Sequence, residues 1–401
     1  MAAGESPVLR ALRSQLVSEL EADATLYSPE WRRAVEAVPR HVFLPEFFRD
    51  APGTDGVTEY TWVSRDRDPD EWLRLCYENK TWVTQLDQGA TTSTGSPVRG
   101  VPTSSSTLPG SVVRMLEDLD VGDGMSVFQA GGGSDYSTAL LCERLGDSLV
   151  TRAEYDPALS DLGRERLASL GHRPRAVTGD AAAGCPDGAP YDRVIATYSP
   201  THIPAAWLEQ SAPRGVVLAS LVGSLGAYGY ARVRVESPEL ARGRFIDSTV
   251  SFMPDRDTST PEVGPLLRPA VDERQGAEGV LSNISPAMLS VPSLMWAVQL
   301  RLAGTLTVGL SLNGVPGRWF LHPDGSWAAL EPSLGGTAHV FQGGPRNLWF
   351  VIEAAVSEWF GAGCPELGRY GLTVTPDENA VWLDHPSRRI GTLEPGLPGR
   401  T

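Results

Sequence analysis

The run Val127-Phe128-Gln129-Ala130-Gly131-Gly132-Gly133-Ser134-Asp135-Tyr136 joins a short apolar stretch to three consecutive glycines and then to helix-forming residues. Glycines at such a junction let the backbone approach a ligand closely. The helix start beyond them offers free N–H groups to an anion. Two carboxylates follow at informative distances. Glu154 ends a second expected strand, Leu149 to Glu154, where an acceptor can meet the hydroxyl pair of a ribose. Asp180, in Thr178-Gly179-Asp180, follows a third stretch and can accept from an adenine amino group. Gly131, Gly133, Glu154 and Asp180 are therefore expected to bind a nucleotide-like cofactor. Each also has a plainer reading, because glycine turns are common after strands and both acids suit an ordinary solvated surface.

Other chemistries find less support. The six histidines (His41, His172, His202, His322, His339, His385) show no metal-ligand spacing, so no metal is expected. Gly223 to Gly229 lacks the Lys-Ser/Thr of a phosphate loop, and Ser134 lies outside any Gly-x-Ser-x-Gly elbow. Cys76, Cys142, Cys185 and Cys364 are far apart and are expected to be buried free thiols in a reducing cytoplasm. A net charge of −15 repels phosphate backbones, which argues against nucleic acid as a partner. No run of 18 apolar residues and no basic segment followed by an apolar block is present, so neither a membrane span nor a secretion signal is expected.

The elements that must position these residues follow from periodicity. Residues 7 to 21 carry Leu9, Leu12, Leu16 and Leu20 at helical spacing. Ser28-Pro29 is an N-cap and first-turn pair that opens a helix through Ala37. Thr54 to Lys80 shows no clear period, Val101 to Gly110 reads as a Ser/Thr/Pro loop, and Ser111 to Leu119 as a short helix. From Met125 to Leu221, apolar strands alternate with helices over 136–145, 157–170 and 203–210, which predicts a parallel, doubly wound α/β sheet. Beyond about Leu240 the helices thin out. Short strands are expected over 305–312, 318–322, 326–330 and 337–342, with Pro323-Asp324-Gly325 as a hairpin turn and one helix over 347–360. The 401 residues thus divide into an N-terminal helical extension and cap (1–100), a cofactor-binding domain (101–240) and a β-rich α+β domain (245–401) with a possible role in peptide recognition.

Several motifs in order carry a resemblance. Pro39-Arg40-His41-Val42-Phe43, the Ser/Thr-rich segment ending Thr107-Leu108-Pro109, the glycine run, Gly179-Asp180 and Ala189-Pro190-Tyr191-Asp192-Arg193-Val194 together resemble the protein-L-isoaspartate O-methyltransferase family, over roughly residues 30 to 225. The resemblance implies a Rossmann-like class I fold, S-adenosylmethionine as cofactor, and methylation of an aspartate or isoaspartate carboxylate that can go on to a succinimide. It assigns Thr107 to the active-site hydroxyl position, Ser105 and Ser106 to peptide binding, and Gln129 and Asp135 to the cofactor site. Val101-Pro102-Thr103-Ser104-Ser105-Ser106, Thr84-Gln85-Leu86-Asp87, Val250-Ser251-Phe252-Met253-Pro254 and a tryptophan-rich C-terminal region look closer to methyltransferases that accompany ATP-grasp peptide maturases. That implies a ribosomally made, crosslinked precursor peptide (a graspetide) as partner.

The sequence departs from the family at the site. Gln129 stands where Glu is usual, Asp135 where Gly is usual, Leu108 follows Thr107, Ala181 follows Asp180, and Arg214 breaks a Pro-Gly-Gly. A lost charge-assisted hydrogen bond and a negative charge beside the cofactor's carboxylate are expected to weaken affinity about 10- to 30-fold. Three functions follow: a peptide Asp O-methyltransferase, a general isoaspartate repair enzyme, or a peptide-binding pseudoenzyme. A repair enzyme needs only the family core, so the C-terminal domain is expected to argue for the first. Thr107 is expected either to orient the substrate carboxylate or merely to cap the helix near Ser111.

Overall fold

In the computed structural model, residues 6–53, 57–92, 95–248, 250–256 and 262–394 are described. Thr54, at the head of the stretch without a clear period, and the outermost residues of the first and last expected domains lie outside them. The chain forms two compact units. One comprises residues 1–198, 206–218 and 235–238, and the other 199–205, 219–234 and 239–401. The expected boundary near residue 100 has no counterpart, since residues 1–100 belong to the same unit as the glycine run.

In the first unit, α1 (Pro7–Ala22) and α2 (Pro29–Ala37) bury Leu16, Val17, Leu20, Trp31, Ala34 and Val35. The Ser28 hydroxyl caps α2 by accepting from the Trp31 N–H. The unassigned stretch proves structured. β1 (Glu46–Pro52), β2 (Thr58–Ser64), α3 (Pro69–Cys76), β3 (Trp82–Leu86) and β4 (Pro102–Ser106) give an antiparallel sheet in the order β2-β1-β3-β4. The expected loop over 101–110 is thus corrected to a strand followed by α4 (Pro109–Leu119). Polar pairs across β3 and β4 take the place of apolar alternation: Thr84 donates to Ser104 (3.0 Å) and Thr103 to Gln85 (2.8 Å).

Alternation then begins. β5 (Val127–Ala130), α5 (Tyr136–Leu145), β6 (Val150–Glu154), α6 (Pro157–Ser169), β7 (Arg175–Thr178), β8 (Tyr191–Ala196), α7 (Ala205–Glu209) and β9 (Ser211–Val222) follow in turn. Their parallel strands lie in the order β9-β8-β5-β6-β7. The chain winds outward from β5 through β6 to β7, then returns to the other side of β5. Such a switch point opens a crevice at the carboxyl ends of the central strands. The glycine run leaves β5 there. The doubly wound expectation holds, with helix and strand bounds moved by a few residues.

The second unit is antiparallel. β10 (Tyr228–Ser237), β11 (Leu240–Phe245), and later β17 (Tyr370–Val374), β18 (Asn379–Leu383) and β19 (Arg389–Leu393) lie side by side. A second sheet has the order β12-β16-β15-β14-β13, built from β12 (Val280–Ser282), β13 (Leu306–Leu312), β14 (Val315–Leu321), β15 (Trp327–Pro332) and β16 (Ala338–Gly343). The predicted turn joins β14 to β15. Periodicity missed α8 (Val263–Arg274) and α9 (Pro292–Gln299) but found α10 (Leu348–Gly361). Trp296, Trp319, Trp327, Trp349, Trp359 and Trp382 are all buried, so these rings build the core. Trp319 stacks on Trp327 at 5.7 Å. Phe360 on α10 is half exposed, whereas its neighbour Trp359 is buried. Cys76, Cys142 and Cys185 are buried free thiols, whereas Cys364 is exposed, against expectation.

Candidate active site

The glycine turn is held from both sides. Gly131 has φ +93° and Gly133 φ +55°, a region that favours glycine. A Cβ on Gly131 would lie 3.1 Å from the Thr197 hydroxyl oxygen. The Gly131 carbonyl accepts from Thr197 (2.6 Å) and from the Gln129 carboxamide (2.8 Å). Gln129 therefore braces the turn from a fully buried position.

The Glu154 carboxylate faces the same turn. One oxygen accepts from the N–H groups of Gly132 (3.0 Å) and Gly133 (2.7 Å), and the other from Asp156 (3.0 Å). Register explains the meeting: Ala130 at the end of β5 pairs with Ala153, one residue before Glu154. Glu154 in turn pairs with Thr178, which places Gly179-Asp180 at the adjacent strand end. The Asp180 carboxylate accepts from the Ala182 N–H at 2.8 Å. A carboxylate has about four acceptor positions. With three N–H groups on Glu154, binding both hydroxyls of a ribose requires it to release at least one loop amide.

Asp135 departs from expectation. It begins α5 at φ +64° with no solvent exposure. Its side chain turns under the loop towards Thr138 (2.8 Å) and the buried Arg152 (3.4 Å). The expected negative charge beside the cofactor's carboxylate is thus corrected to a charge internal to the protein. Burial raises the Asp135 carboxyl above its ordinary range, and Arg152 opposes that rise.

Thr107 lies half-buried between β4 and α4. It does not cap α4. The N-cap is Leu108, and the exposed N–H groups of that end go to other side chains: Gly110 donates to Asn79 (2.8 Å) and Leu108 to Thr81 (3.0 Å). Among the described residues, none is hydrogen-bonded to the Thr107 hydroxyl. Its carbonyl is fixed by Arg40, which sequence reading placed in a motif without a role. Fully buried Arg40 donates to the carbonyls of Cys76 (2.8 Å), Glu78 (2.8 Å), Lys80 (3.0 Å) and Thr107 (3.3 Å). Burial lowers its pKa to about 10, which leaves it charged at neutral pH. Ser106, expected to touch peptide, is buried and accepts from Ser134 (3.2 Å), tying β4 to the glycine run instead. Ser105 alternates to the other face of β4 and is partly exposed.

Away from this site, Cys142, Asp147 and His172 bring ligand-type atoms within 4.8 Å of one another. Sequence spacing gave no sign of it. Asp147 is already engaged by His172 (2.9 Å) and by the Arg173 N–H, so the group is satisfied as a hydrogen-bonded cluster.

A family model described as protein-L-isoaspartate(D-aspartate) O-methyltransferase matches residues 78–228. A protein-L-isoaspartate O-methyltransferase of Methanopyrus kandleri is 28% identical over 216 residues, 53% of this chain and 78% of the relative. One from Methanococcus maripaludis is 38% identical over 112 residues, covering 27% of this chain and 52% of the relative. A solved structure named protein-L-isoaspartate O-methyltransferase aligns over 93% of this chain and 100% of its own, with a TM-score of 0.51 and 17% identity, a likeness of fold. The doubly wound strand order, the glycine turn at the end of β5 and the family match are those of a class I, S-adenosylmethionine-dependent carboxyl O-methyltransferase. The family that the chain resembles, over residues 78–228, is protein-L-isoaspartate O-methyltransferase.

The residues present fit the cofactor. A side-chain-free turn lies against an acceptor carboxylate at the end of β6, and a second carboxylate stands at the end of β7. A Cβ on Gly132 would fall 3.1 Å from Asp135 and 3.3 Å from Glu154, so a side chain there would crowd both carboxylates.

Proposed function

We propose that this protein methylates an aspartyl or isoaspartyl carboxylate of a ribosomally made peptide, with Thr107 orienting the acceptor. The observation that carries this reading is the Thr107 hydroxyl, without a hydrogen-bond partner among the described residues and with its backbone pinned by Arg40. When bound, S-adenosylmethionine supplies an electrophilic methyl group. A carboxylate is ionised at neutral pH and attacks carbon without a general base. The chain's task is alignment. Gly131, Gly133, Glu154 and Asp180 hold the cofactor, and Gln129 braces the turn. Thr107 donates to one carboxylate oxygen, leaving the other to attack. The resulting ester is a better leaving group than the carboxylate, and the next backbone nitrogen can close a succinimide.

Ser105 contributes a hydroxyl on the exposed face of β4, and the second unit contributes to peptide recognition. The tryptophan cluster is core, so that contribution falls to other surfaces. Incubating candidate precursor peptides with cofactor and following them by mass spectrometry tests the reading. Gain of one methyl group followed by loss of methanol is expected, and inert peptides from every ATP-grasp-modified class would sink it. Crosslinks from bound peptide to residues 262–394 are expected, and crosslinks confined to the first unit would remove the second unit's role.

General isoaspartate repair is the second reading. The solved structure named protein-L-isoaspartate O-methyltransferase aligns along 93% of this chain, so an added C-terminal domain does not separate the two. Equal turnover on unrelated isoaspartyl peptides would favour repair. The pseudoenzyme reading rested on the departures around the glycine turn, and one of them, Asp135, is buried and paired with Arg152, which weakens that motive.

A further inference from the structure

The polar side chains beneath the glycine turn form one connected chain. Thr138 Oγ1 lies 3.2 Å from Gln129 Oε1 and 2.8 Å from Asp135 Oδ1. Asp135 Oδ1 lies 3.4 Å from Arg152 Nε, an ion pair rather than a close hydrogen bond. Arg152 donates through Nη1 and Nη2 to the hydroxyl (3.0 Å) and carbonyl (2.6 Å) of Ser160. The Ser160 hydroxyl bonds Thr178 Oγ1 at 2.7 Å. Gln129, Asp135, Thr138, Arg152 and Ser160 have no solvent exposure. The chain links the end of β5, the start of α5, β6 two residues before Glu154, α6, and β7 two residues before Asp180. α6 admits it through a glycine, since a Cβ on Gly163 would lie 1.6 Å from Asp135 Oδ2.

Two features argue that this network serves the site rather than stability. Asp135 Oδ2 and Arg152 Nε are buried without a hydrogen-bond partner among the described residues, a cost that calls for a compensating role. Buried ion pairs of imperfect geometry add little net stability over apolar packing. We propose that Asp135 and Arg152 are a positioning pair for the cofactor site, fixing the glycine turn in register with Glu154 and Asp180. The inference rests on reading that turn as the cofactor site. It also accounts for Gln129 being neutral. The Thr138 hydroxyl has one proton, so a second carboxylate at position 129 would face Asp135 across it, leaving two buried carboxylates to share Arg152.

Titration calorimetry with S-adenosylhomocysteine, paired with melting temperature on the same samples, tests the proposal. Asp135→Asn and Arg152→Met are each expected to weaken binding by about tenfold, and the double variant no more than either single change, because both remove one interaction. Gln129→Glu is expected to weaken binding as well. Adding Asp135→Gly to it should restore binding to within about threefold, by leaving one buried carboxylate opposite Arg152. This second arm decides the matter if Arg152→Met does not fold. Lower melting temperatures with unchanged binding by the folded protein would make the pair merely structural and overturn the proposal. Failure of the unaltered chain to bind would overturn the cofactor reading and this inference together.

Discussion

At the scale of single residues, the active-site loop separates donor from support. Thr107 has its hydroxyl unbonded among the described residues and its carbonyl held, so changes to each atom should have different signatures. Thr107→Ser keeps the donor and should retain most turnover. Thr107→Val removes it and should cost about 2–3 kcal/mol in transition-state stabilisation, with cofactor affinity nearly unchanged. Because Asn79 and Thr81 satisfy the start of α4, the same variant should barely move the melting temperature. A large drop in melting temperature with full turnover would assign Thr107 to structure. Arg40 behaves in the opposite way. Arg40→Met strands four carbonyl acceptors in the interior and should cost about 3 kcal/mol or more of stability. Denaturant unfolding reads that loss directly, and an unchanged midpoint would show that water replaces the guanidinium.

At the scale of elements, β4 and α4 meet at Thr107, next to Ser106, which is bonded by Ser134 of the glycine run. Side chains from the segment just before β3 hold the start of α4. Asn79→Ala should fray the first turn of α4 and destabilise by about 1 kcal/mol, as for a lost cap. Hydrogen exchange should rise at Gly110 and its neighbours while β5 and β6 stay protected. Uniform exchange across the unit would mean that Asn79 supports the whole fold. Glu154 is the corresponding device at the end of β6. Glu154→Gln keeps an acceptor for one loop amide but loses the charge, and should weaken cofactor binding by about 1.5–3 kcal/mol. A dissociation constant equal to the parent's would remove Glu154 from the ribose site.

At the scale of the molecule, pH dependence should differ between the units. In the second, burial lowers the pKa of His202. Its neutral form is therefore favoured in the native state. The unfolded chain takes up the proton first as pH falls below about 6.5, so stability should decline from that point down to the native pKa. His202→Gln should flatten that slope in melting curves recorded below pH 6.5. A slope that persists in full would place the titrating group elsewhere.

The sequence by itself determined the elements with strong local signals. The doubly wound alternation from β5 to β9 follows from apolar periodicity, the α2 cap from Ser28-Pro29, and the β14–β15 turn from Pro323-Asp324-Gly325. The turn at Gly131 and Gly133 and the strand end at Glu154 were legible for the same reason, because a turn and a strand end announce themselves within a few residues. The tertiary structure decided the rest. β4 carries Pro, Thr and Ser rather than alternating apolar residues, so its pairing with β3, which in turn pairs with β1, makes it a strand. Arg40 and Thr107 meet across 67 residues of chain, a contact no local pattern encodes. Asp135 read as a charge aimed at the cofactor until Arg152 and Gly163, from β6 and α6, proved to draw it inward. Arg152 was itself a signal, an arginine in the middle of a strand whose five residues are all buried, so it had to find a buried acceptor. Which acceptor it found depended on how β6 packs under the glycine turn, and that is fixed by register and burial across the unit rather than by neighbours in sequence.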